Sequence, residues 1–161
     1  MKMSYIEPGD IIFYRPTGFI GWAISKITKS EYSHVALAID SYHIIEADKF
    51  IKSQISDLSY VENIHKVYRI RDIDKATQFA VTTEALTMLG SNYDYSQVFG
   101  LFFRIILQRD KISLNRANKY ICSEIIDTSL FRAKVPRRDM KHLGDITPQE
   151  LFDKYNLVEV K

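Results

Sequence analysis

A single cysteine among 161 residues excludes an internal disulfide and a zinc site built from several thiolates, so no covalent cross-link holds this fold. No stretch reaches the roughly eighteen unbroken apolar residues that a bilayer span requires, so no membrane span is expected. Met1 to Asp10 has no apolar core and carries Glu7 and Asp10, unlike a secretory signal, and the chain as given is expected in the cytoplasm. An excess of one charge is also missing. Well-mixed sets of 22 basic and 20 acidic side chains leave a formal charge of +2, too weak to make nucleic acid the main partner. None of the four histidines has a second ligand at H-x-x-x-H spacing, so neither a metal nor a cofactor is expected. Internal repeats and low-complexity linkers are absent.

What is present is material for a core. A hydrophobic content of 46%, with ten Tyr and nine Phe, argues for one globular domain over residues 1–161 and against disorder. Pro8-Gly9-Asp10 reads as a turn and Ile11 to Tyr14 as a short buried strand. Pro16, Thr17 and Gly18 break the chain, after which Ile20, Ile24 and Ile27 suggest a helix from Phe19 to about Lys29, with Trp22 beside its apolar face. Ser33 to Ile39 alternates as a strand, with Val35, Leu37 and Ile39 on one face and His34, Ala36 and Ala38 on the other. The two alanines leave room beside His34 for a close-packed element, and a helix bearing Cys122 is one candidate.

Tyr42 to Ala47 reads as the returning strand. A three-residue loop Ile39-Asp40-Ser41 would set Ala38 opposite Tyr42, Ala36 opposite Ile44 and His34 opposite Glu46. A further strand is expected at Lys66 to Arg71. Asp74 is the expected N-cap of a helix to Leu89, stopped by Gly90, with Phe79, Thr83 and Leu86 as its core stripe. A second, almost wholly apolar helix follows Tyr93-Asp94-Tyr95 and runs to about Leu107. It is read as a core helix, with the wall of an acyl-chain groove or a membrane-surface helix as minority readings. Gln108 to Lys119 reads as a polar loop and Val135-Pro136-Arg137-Arg138 as a solvated basic loop. Thr147-Pro148-Gln149-Glu150 has the pattern of a helix capping box, and Leu157 to Val160 that of an edge strand.

The one cysteine is the centre of Tyr120-Ile121-Cys122-Ser123-Glu124. Ile125, Ile126 and Leu130 follow at helical spacing, so a helix is expected to begin near Cys122. A thiol in a helix's first turn is near the positive end of the helix dipole and near unpaired N–H groups, both of which favour thiolate. The alternative is a small buried residue on the apolar face. A cysteine nucleophile also needs a base and a group that orients it. His34 and Glu46, on neighbouring strands, supply those types. His43 would share a face with Ile45, opposite to Glu46, while His65 and His142 have polar sequence neighbours.

Gly9-Asp10-Ile11-Ile12, Tyr32-Ser33-His34-Val35, Ile45-Glu46-Ala47, Tyr93-Asp94-Tyr95 and Tyr120-Ile121-Cys122-Ser123-Glu124, in that order, resemble the circularly permuted NlpC-like cysteine hydrolases. These are papain-like proteins of the YiiX-like branch, related to the lecithin:retinol acyltransferase group. The closing Thr147-Pro148 segment also looks like their ending, so the likeness runs from Gly9 to Pro148. The histidine precedes the cysteine here, as the permuted branch implies and unlike the unpermuted family.

The resemblance implies an α+β fold in which an antiparallel sheet packs against the helix that carries the cysteine. It implies Cys122 as nucleophile, His34 as general base and then acid, and Glu46 as the orienting residue. Tyr120 and, more weakly, Tyr14 would shape the substrate site. The chemistry would be acyl transfer through an acyl-enzyme, with the Cys122 backbone N–H contributing to an oxyanion hole. The leading expectation is a thiol-dependent hydrolase, of cysteine peptidase or amidase type, acting on a peptide or a peptidoglycan-type stem peptide. A lipid acyltransferase or thioesterase with a lipid-like acyl substrate is the alternative within enzymes. A non-catalytic binding module that keeps the fold is the alternative outside them. Ser53 to Ile64 and Gln108 to Lys119 are the loops expected to set pocket shape.

Overall fold

The first strand is launched by a turn that only a glycine fits comfortably. In the computed structural model, which describes residues 6–17, 22, 25–26, 30–47, 53–58, 65–90, 92–93, 119–120 and 122–161, Gly9 has a φ of +87°. A Cβ there would come within 3.6 Å of the Gln78 backbone. Asp10 next to it is fully buried, and its carboxylate takes two bonds from Arg69, at 2.7 and 2.8 Å, and one from the Glu7 amide at 2.9 Å. A buried carboxylate with three donors is satisfied, which makes Gly9-Asp10 an anchor for the strand that follows.

Among the described residues, β1 Ile11–Tyr14, β2 His34–Ala38, β3 His43–Glu46, β4 Gln54–Asp57, β5 His65–Ile70 and β8 Leu157–Glu159 form one antiparallel sheet. Their order is β4-β3-β2-β1-β5-β8. The short strands β6 Asn92–Tyr93 and β7 Lys119–Tyr120 pair in parallel as a separate ribbon. The helices are α1 Lys75–Leu86, α2 Cys122–Arg132 and α3 Pro148–Lys154.

These three described helices lie on one face of the sheet. Phe13, Val35, Leu37, Ile45, Tyr68 and Ile70 pack there with Val81 and Ala85 of α1, Ile125, Ile126 and Leu130 of α2, and Leu151 of α3. The other face carries a smaller cluster of Ile6, Ile12, Ala36, Ala38, Ile44 and Val67, flanked by Tyr14, Leu58 and Val160. This is the expected α+β arrangement, with the sheet packed against the helix that carries the cysteine. No described helix is long and apolar enough to cross a membrane.

Several local expectations need correction. The stripe on α1 is not Phe79, Thr83 and Leu86: Phe79 is 71% and Leu86 40% exposed, while Gln78, Val81, Thr82 and Ala85 face inward. Short side chains on that face let α1 sit close to α2, and the polar Gln78 is accepted because it bonds Glu7 beside the Gly9 turn. The helix closes at Thr87 rather than running to Leu89, although Asp74 is its N-cap as expected.

Arg137 is not in a solvated loop. Its side chain is 2% exposed and paired with the fully buried Asp127, an attraction that composition alone does not reveal. Ser53 to Ile64 is not wholly loop, because β4 occupies its first part. Of the helix expected over Phe19 to Lys29, Trp22, Ser25 and Lys26 are described and helical; the remainder lies outside the described residues. The apolar helix after Tyr93-Asp94-Tyr95 and most of Gln108 to Lys119 also lie outside them.

Candidate functional site

The β2–β3 hairpin decides which side chains can meet. Ala38 stands opposite Ile44 and Leu37 opposite Ile45, a shift of two residues from the expected pairing. The loop is later than expected because Asp40 organises it, its Oδ1 accepting from the amides of Tyr42 at 2.6 Å and His43 at 2.7 Å. A shift of two leaves every side chain on its own face, whereas a shift of one would have reversed them. His34 and Glu46 therefore become diagonal rather than direct neighbours, and both side chains are long enough to close the gap. His34 Nε2 and Glu46 Oε2 are 2.9 Å apart. Both are partly covered, with side chains 21% and 18% exposed.

Cys122 is the first residue of α2 and is 9% exposed. The helix does not approach over Ala36 and Ala38, as the small side chains suggested. It packs on the opposite, Val35–Leu37 face, and those alanines belong to the second cluster. Cys122 nevertheless reaches the imidazole of His34, because His34 opens β2 and the contact is made at the strand's end. The backbone N–H groups of Val35 and Ser123 also donate to the sulfur. With Nε2 engaged by Glu46, Nδ1 is the ring nitrogen left for the sulfur.

Burial alone would push the Cys122 thiol pKa up, but the imidazolium of His34 and the two amides outweigh it and hold the thiol below its ordinary value. His34 is the mirror case. Burial opposes its charge, while the sulfur and Glu46 raise its pKa above the ordinary histidine value. Glu46 is held low, first by its bond to His34, against burial, with help from a bond to Ser56. The arrangement favours a thiolate–imidazolium pair backed by a carboxylate.

Tyr14 stands directly across from His34 in the β1–β2 ladder, with ring centroids 5.4 Å apart. Burial and the Glu46 charge push its pKa up to about 12, so it is a neutral phenol at physiological pH. Its other neighbour is His65, ring centroids 6.3 Å apart, so His65 has an aromatic contact close to the site, not only polar surroundings. Tyr120 pairs through its backbone with Tyr93, immediately before the helix that begins at Cys122. His43 lies apart from this group, bound at 2.8 Å to Asp40.

The residues that sequence reasoning missed are Ser56 and Gln54 on β4. They alternate inward with exposed Ile55 and Asp57, a period-of-two signal hidden by weak strand formers.

No protein-family model matches the chain, and no curated protein matches it. Among solved structures, it is similar to the metalloprotein yiiX from Escherichia coli O157:H7. That similarity has a TM-score of 0.55 and 18% identity, and covers 98% of this chain and 97% of that one. At that identity the likeness is one of fold, and it extends over the full length of both proteins.

Proposed function

We propose that the chain is a thiol-dependent hydrolase of the permuted papain-like, NlpC-related type, acting on an amide bond in a peptide or a peptidoglycan-type stem peptide. The observation that carries this reading is the contact of Cys122 with His34, which in turn is bonded to Glu46 at 2.9 Å. In the proposed reaction the thiolate attacks the carbonyl carbon, a C–S bond forms and the carbonyl π electrons move to oxygen. As they return, the C–N bond breaks and the His34 imidazolium gives its proton to the departing nitrogen. Neutral His34 then takes a proton from water as the water oxygen attacks the thioester, and the thiolate leaves with the C–S electron pair. An amine is a poor leaving group unless protonated, so an imidazole held in its charged form suits amides better than esters.

The acyl-chain wall that would favour a lipid substrate falls on Phe99 to Leu107, outside the described residues. The protein yiiX is a metalloprotein, but a metal ion does not fit Cys122, His34 and Glu46 here. They stand in series, the imidazole between sulfur and carboxylate, and among the described residues no group of three His, Cys, Asp or Glu side chains is arranged to hold a metal ion.

The test is the rate of Cys122 alkylation by iodoacetamide against pH, in the intact protein and in His34→Ala. The thiol is expected to titrate well below the free value of about 8.5, and the substitution to return it there. Panels of peptides, stem peptides and acyl esters then separate amide from ester substrates. An inert thiol that His34→Ala leaves unchanged overturns the enzyme reading in favour of a binding module.

A further inference from the structure

The acid of the Cys122–His34–Glu46 chain is itself held from the sheet's edge. Gln54 lies opposite Glu46 and Ser56 opposite Ile44 in the β3–β4 ladder, so all four alternate onto one face. Gln54 Nε2 donates to Ser56 Oγ at 3.1 Å. A serine hydroxyl has one proton to give, and that of Ser56 goes to the Glu46 carboxylate. Glu46 Oε2 accepts from His34 Nε2 at 2.9 Å. The donors therefore converge on Glu46, the Gln54 amide setting the Ser56 hydroxyl that donates from one side and the His34 ring donating from the other, with the imidazole between carboxylate and sulfur.

We propose that Ser56, itself set by Gln54, is a positioning residue that fixes the rotamer and the charged form of Glu46 and through it the orientation of His34. This assignment rests on the cysteine-hydrolase reading above. Geometry supports it. A carboxylate has several lone-pair directions, and a second donor from a fixed strand removes the rotations that would carry Oε2 away from the ring.

Other charged or titratable groups do not replace this role. Tyr14 approaches the same pair from β1 as a neutral ring. From α2 the group is Cys122 itself. On β3 and β4, His43 and Asp57 alternate to the opposite side and interact with each other at 3.8 Å.

The experiment compares Ser56→Ala, Ser56→Thr and His34→Ala. It uses the pH profile of Cys122 alkylation and, independently, the titration of the Glu46 carboxyl carbon by NMR. Ser56→Ala should raise the Glu46 pKa and move the Cys122 profile up by about half a unit to one unit, three- to tenfold less thiolate at low pH. Ser56→Thr keeps the hydroxyl and should restore both. Unfolding midpoints measured alongside should stay close to that of the parent, separating positioning from stability. If His34→Ala shifts the profile while Ser56→Ala moves neither the profile nor the Glu46 titration, the assignment is overturned and the hydrolase reading stands. If neither substitution moves anything, both fall together.

Discussion

Burial to the extent seen at Cys122, 9% exposed, ordinarily makes a thiol a weaker acid than it is in water. Three polar groups reverse that here: the His34 ring and the amides of Val35 and Ser123. The same charges that lower the thiol raise the imidazole, so the reactive ion pair exists in a pH window bounded by the two. On the proposed hydrolase reading, activity should rise as pH passes the depressed Cys122 value and fall as it passes the elevated His34 value. Glu46→Gln tests the acid's share. The amide oxygen can still accept from Nε2, so geometry survives while the negative charge is lost. The His34 pKa should drop by about one unit, pulling the alkaline limb down, while the thiol, held low by the His34 ring and two amides, should keep its acid limb. A profile narrowed on its alkaline side, followed by imidazole NMR and alkylation rate, is the expected outcome.

Elements differ in how openly their residues announced them. Capped, periodic elements were legible: Asp74, the Thr147-Pro148-Gln149-Glu150 box and the helix starting at Cys122 all stand where spacing put them. Faces of β2 were legible too, because alternation survives a register error of two. Two things were hidden. The inward face of α1 depends on what packs against it, and small residues beside α2 displaced Phe79 and Leu86 outward. Strand β4 has weak strand formers and gains its structure from the ladder with β3. For the candidate site, the three chemical groups were legible from residue type and order, but the contacts at the end of β2 required tertiary structure.

The cap at α3 gives a direct measurement. Thr147 is 2% exposed, its hydroxyl accepts from the Glu150 amide at 3.1 Å, and the Glu150 carboxylate accepts from the Thr147 amide at 2.8 Å. Thr147→Ala should cost about 1 kcal/mol in denaturant unfolding, and Thr147→Ser most of a kcal/mol less than that. Phe79→Ser, on the exposed side of α1, should stay within about 0.5 kcal/mol of the parent in the same assay.

Across the molecule, one buried carboxylate joins the cysteine helix to the chain that returns after it. Asp127, midway along α2 and fully buried, accepts from Arg137 Nε at 2.9 Å, the Gly144 amide at 3.0 Å and the Tyr155 hydroxyl at 2.7 Å. Gly144 has a φ of +70°, and a Cβ there would stand 3.7 Å from Glu124 Oε1. Arg137 also donates to the carbonyls of Asp139 and Lys141. The loop between α2 and α3 is thus tied back to the helix through Asp127, not merely laid over it. Ser123, next to the cysteine, adds a bond to the Ile146 carbonyl. Removing the carboxylate would leave a guanidinium whose side chain is 2% exposed with only the more distant Asp139 carboxylate, at 3.8 Å, as counter-charge. Asp127→Ala should therefore cost about 3–5 kcal/mol. Replacing both members by apolar residues, as in Asp127→Leu with Arg137→Met, should cost less than the single change because no unpaired charge remains. If the network also fixes where α2 begins, the double variant should alkylate at Cys122 with a pH profile closer to the parent than to Asp127→Ala. Equal unfolding costs for the single and double variants would place the contribution of Asp127 in its bonds to Gly144 and Tyr155 rather than in the ion pair.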